Sequence, residues 1–214
     1  MAEFQLVPWP RQLCGDDAEV LAEVLHDGIN LAIWQRELNP ELAGFAAALL
    51  ARGTPLADSL SIELGDDDGD EPELSGLAGE CAELPGYAAF VADVAWLVRA
   101  YACLLEARRV GVRLRVLDKA MCPRFHVDRV PLRLVTTYAG PGSQWLAEGD
   151  LPRHRLADPS CAPDEVAVRS MEPGHVALLK GERWEGNEHT AIVHRSPMLA
   201  AGERRLLLTL DWLE

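Results

Sequence analysis

The pattern of apolar and polar positions changes period near residue 110. Before it, apolar residues recur at helical spacing. Asp16 and Asp17 precede Val20, Leu21, Val24 and Leu25, and Gly28 follows, which is the order of an N-cap, one apolar face and a C-terminal glycine. Residues 29–34 then read as a strand. Asn39 followed by Pro40 predicts a helix through Leu50, with Gly53 past its end. The strongest periodicity spans 86–109, where Val91, Val94, Val98, Tyr101 and Leu105 line one face and Arg108 and Arg109 suit the C-terminal end of the dipole.

From residue 111 the runs are short and strand-like, over 112–117, 124–127, 132–138, 175–179, 190–194 and 205–212. Loops with Gly140-Pro141-Gly142, Pro159, Pro163, Pro173-Gly174 and Gly202 punctuate them, and no long helix intervenes. That spacing predicts an antiparallel barrel or sandwich, and hence an α+β chain. The expected organisation is one integrated domain, with residues 1–110 as an acidic, mainly helical flanking region and 111–214 as the β-barrel.

Composition sharpens this division. The chain has 34 acidic and 20 basic side chains, a net charge of −14. Residues 1–110 hold 20 acidic and 6 basic groups, and residues 111–214 hold 14 of each, so the whole excess lies in the first half. Such a balance argues against nucleic-acid and anionic-membrane partners. With 49% hydrophobic and 25% charged residues, the chain can bury a core. The apolar stretch 87–105 is interrupted by Asp93 and Arg99, so it reads as a core helix rather than a membrane span. The N-terminal Met1-Ala2-Glu3-Phe4 does not resemble a secretory signal, and five cysteines without a CxxC pair suit a reducing compartment. The expected location is the cytoplasm. The acidic run 65–73 clusters carboxylates around Gly69, but an EF-hand register would put Leu64 and Ser75 at ligand positions, so it reads as a solvated loop.

The chemistry concentrates in the second half. His126 and Asp128 lie two apart, so on a strand both face one side and can reach one metal ion. His194 follows on a second predicted strand, and Arg204 and Arg205 open the last one. Two histidines and one carboxylate on one face of an octahedral ferrous ion leave three positions open. A 2-oxo acid can occupy two and dioxygen the third, while an arginine holds the far carboxylate by a two-pronged hydrogen bond.

This set of His126-x-Asp128, a distal His194 and an arginine ten or eleven residues later resembles the motifs of iron(II)/2-oxoglutarate-dependent oxygenases, over about 111–212. Residues 122–134 (Cys122-Pro123-Arg124-Phe125-His126-Val127-Asp128 through Leu134), Thr137-Tyr138, Gly140-Pro141-Gly142 and His194-Arg195-Ser196-Pro197 resemble, more narrowly, a bacterial family of unassigned function, domain of unknown function family 1826. The oxygenase resemblance implies a double-stranded β-helix, a jelly-roll or cupin-like barrel, with N-terminal helices packed outside it. It implies His126, Asp128 and His194 as catalytic metal ligands. It implies Arg205, or failing that Arg204, as the cosubstrate anchor, and Tyr138 or Thr136 as a hydroxyl donor to the cosubstrate. Alternation turns only one of the two arginines inward, and the reading takes Arg205 first. The implied activity is that of a dioxygenase, the oxidative decarboxylation of 2-oxoglutarate to succinate coupled to oxidation of a small-molecule or peptide substrate.

Two other readings use the same residues. Cys122, four before His126, could close a tetrahedral zinc site with the triad, giving a non-catalytic zinc-binding or metal-homeostasis protein. A cupin-like isomerase or hydrolase could use a metal-bound water. Arg195 points away from His194 on a strand and is expected in a salt bridge. His175 and His189 read as strand-end histidines, and Lys180-Gly181 with Trp184-Glu185-Gly186-Asn187 as either a loop at the site entrance or a surface hairpin.

Overall fold

The computed structural model describes residues 10–65, 71–156, 158 and 163–213. The acidic residues 66–70, most of the run read as a solvated loop, lie outside the described residues, as do the first four residues and Cys161. The chain is mixed α+β, with one large sheet and few helices.

Strand β1 (Arg11–Gly15) leads through a 3-10 turn, Ala18–Leu25, into β2 (Ile29–Trp34). Asp17 caps that turn by accepting from the Glu19 amide at 2.9 Å. Helix α1 (Pro40–Ala51) starts as its sequence predicts, with the Asn39 side chain accepting from the Leu42 amide at 2.9 Å. Strand β3 (Ala57–Glu63) follows, then helix α2 (Tyr87–Leu105) and strands β4 (Arg109–Leu117) and β5 (Leu132–Ala139). The last strands are β6 (Gln144–Trp145), β7 (Arg169–Ser170), β8 (Val176–Lys180), β9 (His194–Arg195) and β10 (Arg205–Trp212).

Seven strands form one sheet in the order β1-β2-β8-β5-β10-β4-β3, antiparallel except for the β1–β2 pair, and three form a second sheet, β7-β6-β9. Residues before 110 therefore give three strands to the large sheet as well as both helices. Period-two alternation divides the large sheet into two faces. On one, Leu134, Tyr138, Leu178, Leu206, Leu208 and Leu210 pack with Val112 and Leu114 against α1 and α2. On the other, Val135, Leu207, Ala177, Leu179, Leu31 and Ile33 pack against Trp145, Met171 and Ile192 of the small sheet and its connections. Helix α2 is long and apolar enough to cross a membrane by length and composition. Here Phe90, Val94, Leu97, Val98 and Tyr101 spend that apolarity on the sheet, each fully buried and each contributing about 1.5–3 kcal/mol.

Two expectations shorten. The strands predicted over 124–127 and 190–194 reduce to a single bridge between His126 and His194, whose amides exchange hydrogen bonds of 3.0 Å, and to the two residues of β9. Pro123 and Pro131 bracket the first segment and carry no amide hydrogen, so a longer ladder cannot form there.

Candidate metal centre

The His126–His194 bridge sets two imidazoles side by side, with ring centroids 4.6 Å apart. Each ring is fixed from behind by its own segment. His126 Nδ1 lies 2.9 Å from the Arg124 carbonyl and His194 Nδ1 lies 3.2 Å from the Ile192 carbonyl. A carbonyl only accepts, so in the neutral form of each ring the proton sits on Nδ1 and Nε2 carries the lone pair. Both Nε2 atoms converge on Asp128, at 3.7 Å from Oδ1 for His126 and 3.4 Å from Oδ2 for His194. The three donor atoms lie within 4.8 Å of one another. A ring of facial ligands around one ion needs separations of about 3 Å, so small side-chain movements close the set.

The electrostatics favour an ionised Asp128 and a neutral His126. Burial pushes the Asp128 carboxyl up, but the hydrogen bond and charge that a protonated His194 offers, with Arg133 and His126, outweigh it and hold the group down at about 2. Burial, followed by the neighbouring His194, pushes His126 below the ordinary imidazole range and favours its neutral form.

Arg205 is the other unusual group on this face. It is 1% exposed, the largest fully buried side chain among the described residues. Its Nη2 donates to Thr137 Oγ1 at 2.9 Å and to Ser143 Oγ at 3.1 Å, while Nε and Nη1 have no partner among the described residues. Burial alone pulls its guanidinium down to about 10. Ser143 stands two residues before Trp145, which is in register with His194, so the arginine's hydroxyl partner and the histidine's partner are separated by about 7 Å along the chain. The Gly140-Pro141-Gly142 motif explains why the chain runs so close here. A Cβ on Gly140, whose φ is +83°, would meet the Arg204 carbonyl oxygen at 2.2 Å, and one on Gly142 would meet that of Met171 at 1.9 Å. The two glycines seat Ser143 against Arg205.

The structure brings His126, Asp128 and His194 together, with Arg205 on the same face of the large sheet. It separates the others. Arg204 turns to the opposite side of its strand, where its guanidinium lies beside Gly53 after α1. Thr136 and Tyr138 do not meet the triad, because alternation along β5 sends Leu134, Thr136 and Tyr138 to the helices and Arg133, Val135 and Thr137 to the site. The Tyr138 hydroxyl donates instead to Asp93 Oδ2 at 2.6 Å, beside the Arg36–Asp93 ion pair. Tyr138→Phe is accordingly expected to cost about 1–2 kcal/mol in a denaturant melt and to leave metal affinity unchanged; a weakened metal site would put Tyr138 back among the site residues. Cys122 is exposed and does not join the donor group, its backbone pairing with Ser196. His175 and His189 lie outside the donor group as well. Arg195 makes no salt bridge among the described residues; it donates to Gln144 Oε1 at 2.7 Å and lies 4.3 Å from the Phe125 ring centroid. Trp184 packs over the Lys180 ammonium at 4.9 Å.

Thr137, Ser143 and Asp211 escaped sequence reasoning, and Arg133, which the sequence places among the arginines around the metal ligands as suited to an anionic cosubstrate, pairs with carboxylates of the chain instead. Arg133 donates from Nη1 to Asp128 Oδ2 at 2.8 Å and grips Asp211 with its Nε and Nη2. The available signal was the charge itself, since an arginine between Leu132 and Leu134 in an apolar strand marks the polar face, and Thr137 follows at the same parity.

No curated protein sequence matches the chain. Among solved structures, that of the dioxygenase for auxin oxidation from rice is similar at a TM-score of 0.50 and 14% identity, over 95% of this chain and 83% of that one, and shows a shared fold. A Pseudomonas putida prolyl-4-hydroxylase aligns at a TM-score of 0.44 and 16% identity, over 91% and 97% of the two chains. A Burkholderia pseudomallei oxidoreductase of the 2OG-Fe(II) oxygenase family aligns at 0.41 and 16%, over 94% and 95%. The family described as "Protein of unknown function (DUF1826)" matches residues 15–211, nearly the whole described chain with both the triad and Arg205, and this protein belongs to it.

Proposed function

We propose that this protein is a non-haem iron(II)/2-oxoglutarate-dependent oxygenase of the hydroxylase type, its two sheets being the halves of a double-stranded β-helix. One observation carries the reading: a fully buried arginine with two unpartnered nitrogens, on the same face as two histidines and an aspartate whose lone pairs converge. Buried charge without a counter-ion is costly, and a ligand carboxylate on Nη1, at the outer end of the guanidinium, supplies the missing partner in a charge-assisted contact.

The donor set fits a ferrous ion. Imidazole and carboxylate suit iron, and three protein donors leave coordination positions open. His126, Asp128 and His194 would hold it, and bound iron supplies the redox chemistry by which dioxygen oxidatively decarboxylates 2-oxoglutarate to succinate and oxidises a substrate carbon. The chain's own part is positioning. Thr137 and Ser143 fix the Arg205 fork to receive the far carboxylate of the cosubstrate. The Arg124 and Ile192 carbonyls take the Nδ1 protons, so that the neutral rings turn their Nε2 lone pairs to the ion. Val135, Leu207 and Trp145 provide dry walls on this face. The four described cysteines are free, which supports a cytoplasmic setting, and the primary substrate is a small molecule or a peptide.

Anaerobic reconstitution with iron(II) and 2-oxoglutarate tests the proposal. The expected result is the weak visible charge-transfer band of a chelated 2-oxo acid, absent in His194→Ala. Tight zinc binding with no such band in the iron-loaded protein contradicts it.

A further inference from the structure

The motif of two histidines and an aspartate says nothing about what holds the aspartate. Here the side chain that does so is itself clamped. Arg133 and Asp211 stand directly opposite each other on β5 and β10, and the guanidinium uses Nε and Nη2 on the two oxygens of Asp211, at 2.7 and 3.1 Å. Asp211 is 4% exposed and takes a second arginine, Arg113 of β4, on Oδ2. With one edge of the fork fixed by two bonds to a buried carboxylate on the central strand, the remaining Nη1 has one place to go. It lies 2.8 Å from Asp128 Oδ2.

We propose that Arg133 is a positioning residue for the metal, held by Asp211, and that it divides the two oxygens of Asp128: Oδ2 belongs to the guanidinium and Oδ1 to the ion. This inference rests on the triad being the metal site. Asp128 sits on a segment that makes only a bridge, not a ladder, so the strand pairing does not orient its carboxylate. Arg133, on a central strand with partners on both sides, provides the rigid reference. Consuming one oxygen also stops Asp128 from ligating through both, which keeps a coordination position open. Partners of this kind behind a ligand are worth about ten- to hundred-fold in metal affinity.

Cobalt(II), a visible-absorbing probe, distinguishes the outcomes. Three variants are titrated: Arg133→Gln, Asp211→Asn, and the double variant, which removes both charges of the pair and so avoids a lone buried ion. Circular dichroism confirms their fold. The expected result is about ten- to hundred-fold weaker cobalt binding in each folded variant, with a changed intensity of the visible bands reporting a changed coordination number. Asp211→Asn tests the idea most sharply, because Asp211 does not reach Asp128 itself. The double variant should be no worse than the weaker single one, since both act through one contact. Folded variants with wild-type affinity and wild-type bands overturn the role of Arg133 while leaving the triad in place. Wild-type protein that binds no cobalt, or binds it unchanged in His194→Ala, overturns the metal reading and this inference with it.

Discussion

Arg205→Met is expected to make the protein more stable and to abolish 2-oxoglutarate binding in the same step. The two effects share one cause. The guanidinium is buried, its Nε and Nη1 lack partners, and no carboxylate forms a salt bridge with it among the described residues. Its pKa falls on folding, to about 10, and a cation whose pKa falls on folding destabilises the fold at every pH below that value. Methionine keeps the length, lacks the charge and adapts to irregular space beside Leu207 and Val135. Replacing buried ionic groups by apolar ones of similar volume stabilises by about 1–4 kcal/mol, from which the lost bonds to Thr137 and Ser143 subtract about 1 kcal/mol. A net gain of about 1 kcal/mol raises the melting temperature of a chain this long by roughly 2–4 °C.

The binding side is larger. Truncating one partner of a buried, hydrogen-bonded charge pair costs about 2–5 kcal/mol, a loss of roughly thirty-fold to several thousand-fold. Calorimetric melting of the metal-free variant and 2-oxoglutarate titration of the cobalt-loaded variant check both halves. A less stable Arg205→Met that still binds the 2-oxo acid would show the arginine to be an ordinary structural group. Arg204→Met is the natural control, because its side chain sits beside Gly53 on the other side of the strand.

The sequence made the centre of this molecule legible for a specific reason. With only six histidines in the chain, two of them stand out once an aspartate and an arginine join them at these spacings, and the alternation of Arg205, Leu207 and Thr209 with Leu206, Leu208 and Leu210 predicts both the span of β10 and the arginine that faces inward. Helix α1 was equally plain, since Asn39 and Pro40 act locally. Strand β3 was not, because only Leu60 and Ile62 mark it and its serines, on the exposed face of an edge strand, read as loop. The parity of β5 was hidden by its burial on both faces, which leaves Leu134 and Val135 equally apolar and lets Thr136 stand in for Thr137. Ser143 and Asp211 could not be read at all. Their partners Arg205 and Arg133 lie 62 and 78 residues away in sequence, and only the strand order β5-β10-β4 brings them together.

Gly181→Ala is expected to damage the metal centre from outside it, although Gly181 carries no donor and looked from the sequence like part of a loop at the entrance or on the surface. The segment that carries Asp128 is tied down by three amides of the following turn: Gly181 donates to the Pro131 carbonyl at 2.9 Å, Glu182 to that of Asp128 at 2.9 Å, and Arg183 to that of Val130 at 3.3 Å. The chains run so close that a Cβ on residue 181 would lie 2.1 Å from the Val130 oxygen and 2.8 Å from the Asp128 oxygen. Both neighbours are backbone, so no rotamer relieves the overlap, and the segment must move by about an ångström, which breaks bonds of this set. Overpacking of this kind costs about 1–3 kcal/mol in stability. The effect on metal is the more telling one, because Asp128 sits at the clash point and would leave the reach of both Nε2 atoms and of Arg133 together. Cobalt affinity should therefore fall by at least the ten- to hundred-fold assigned to Arg133 alone. Gly186→Ala in the same turn, where an added Cβ meets nothing within 4 Å, carries a stability cost of similar size from its φ of +80° without the clash, and should keep its metal. Equal losses of cobalt binding in the two variants would mean that the turn matters for folding rather than for placing Asp128.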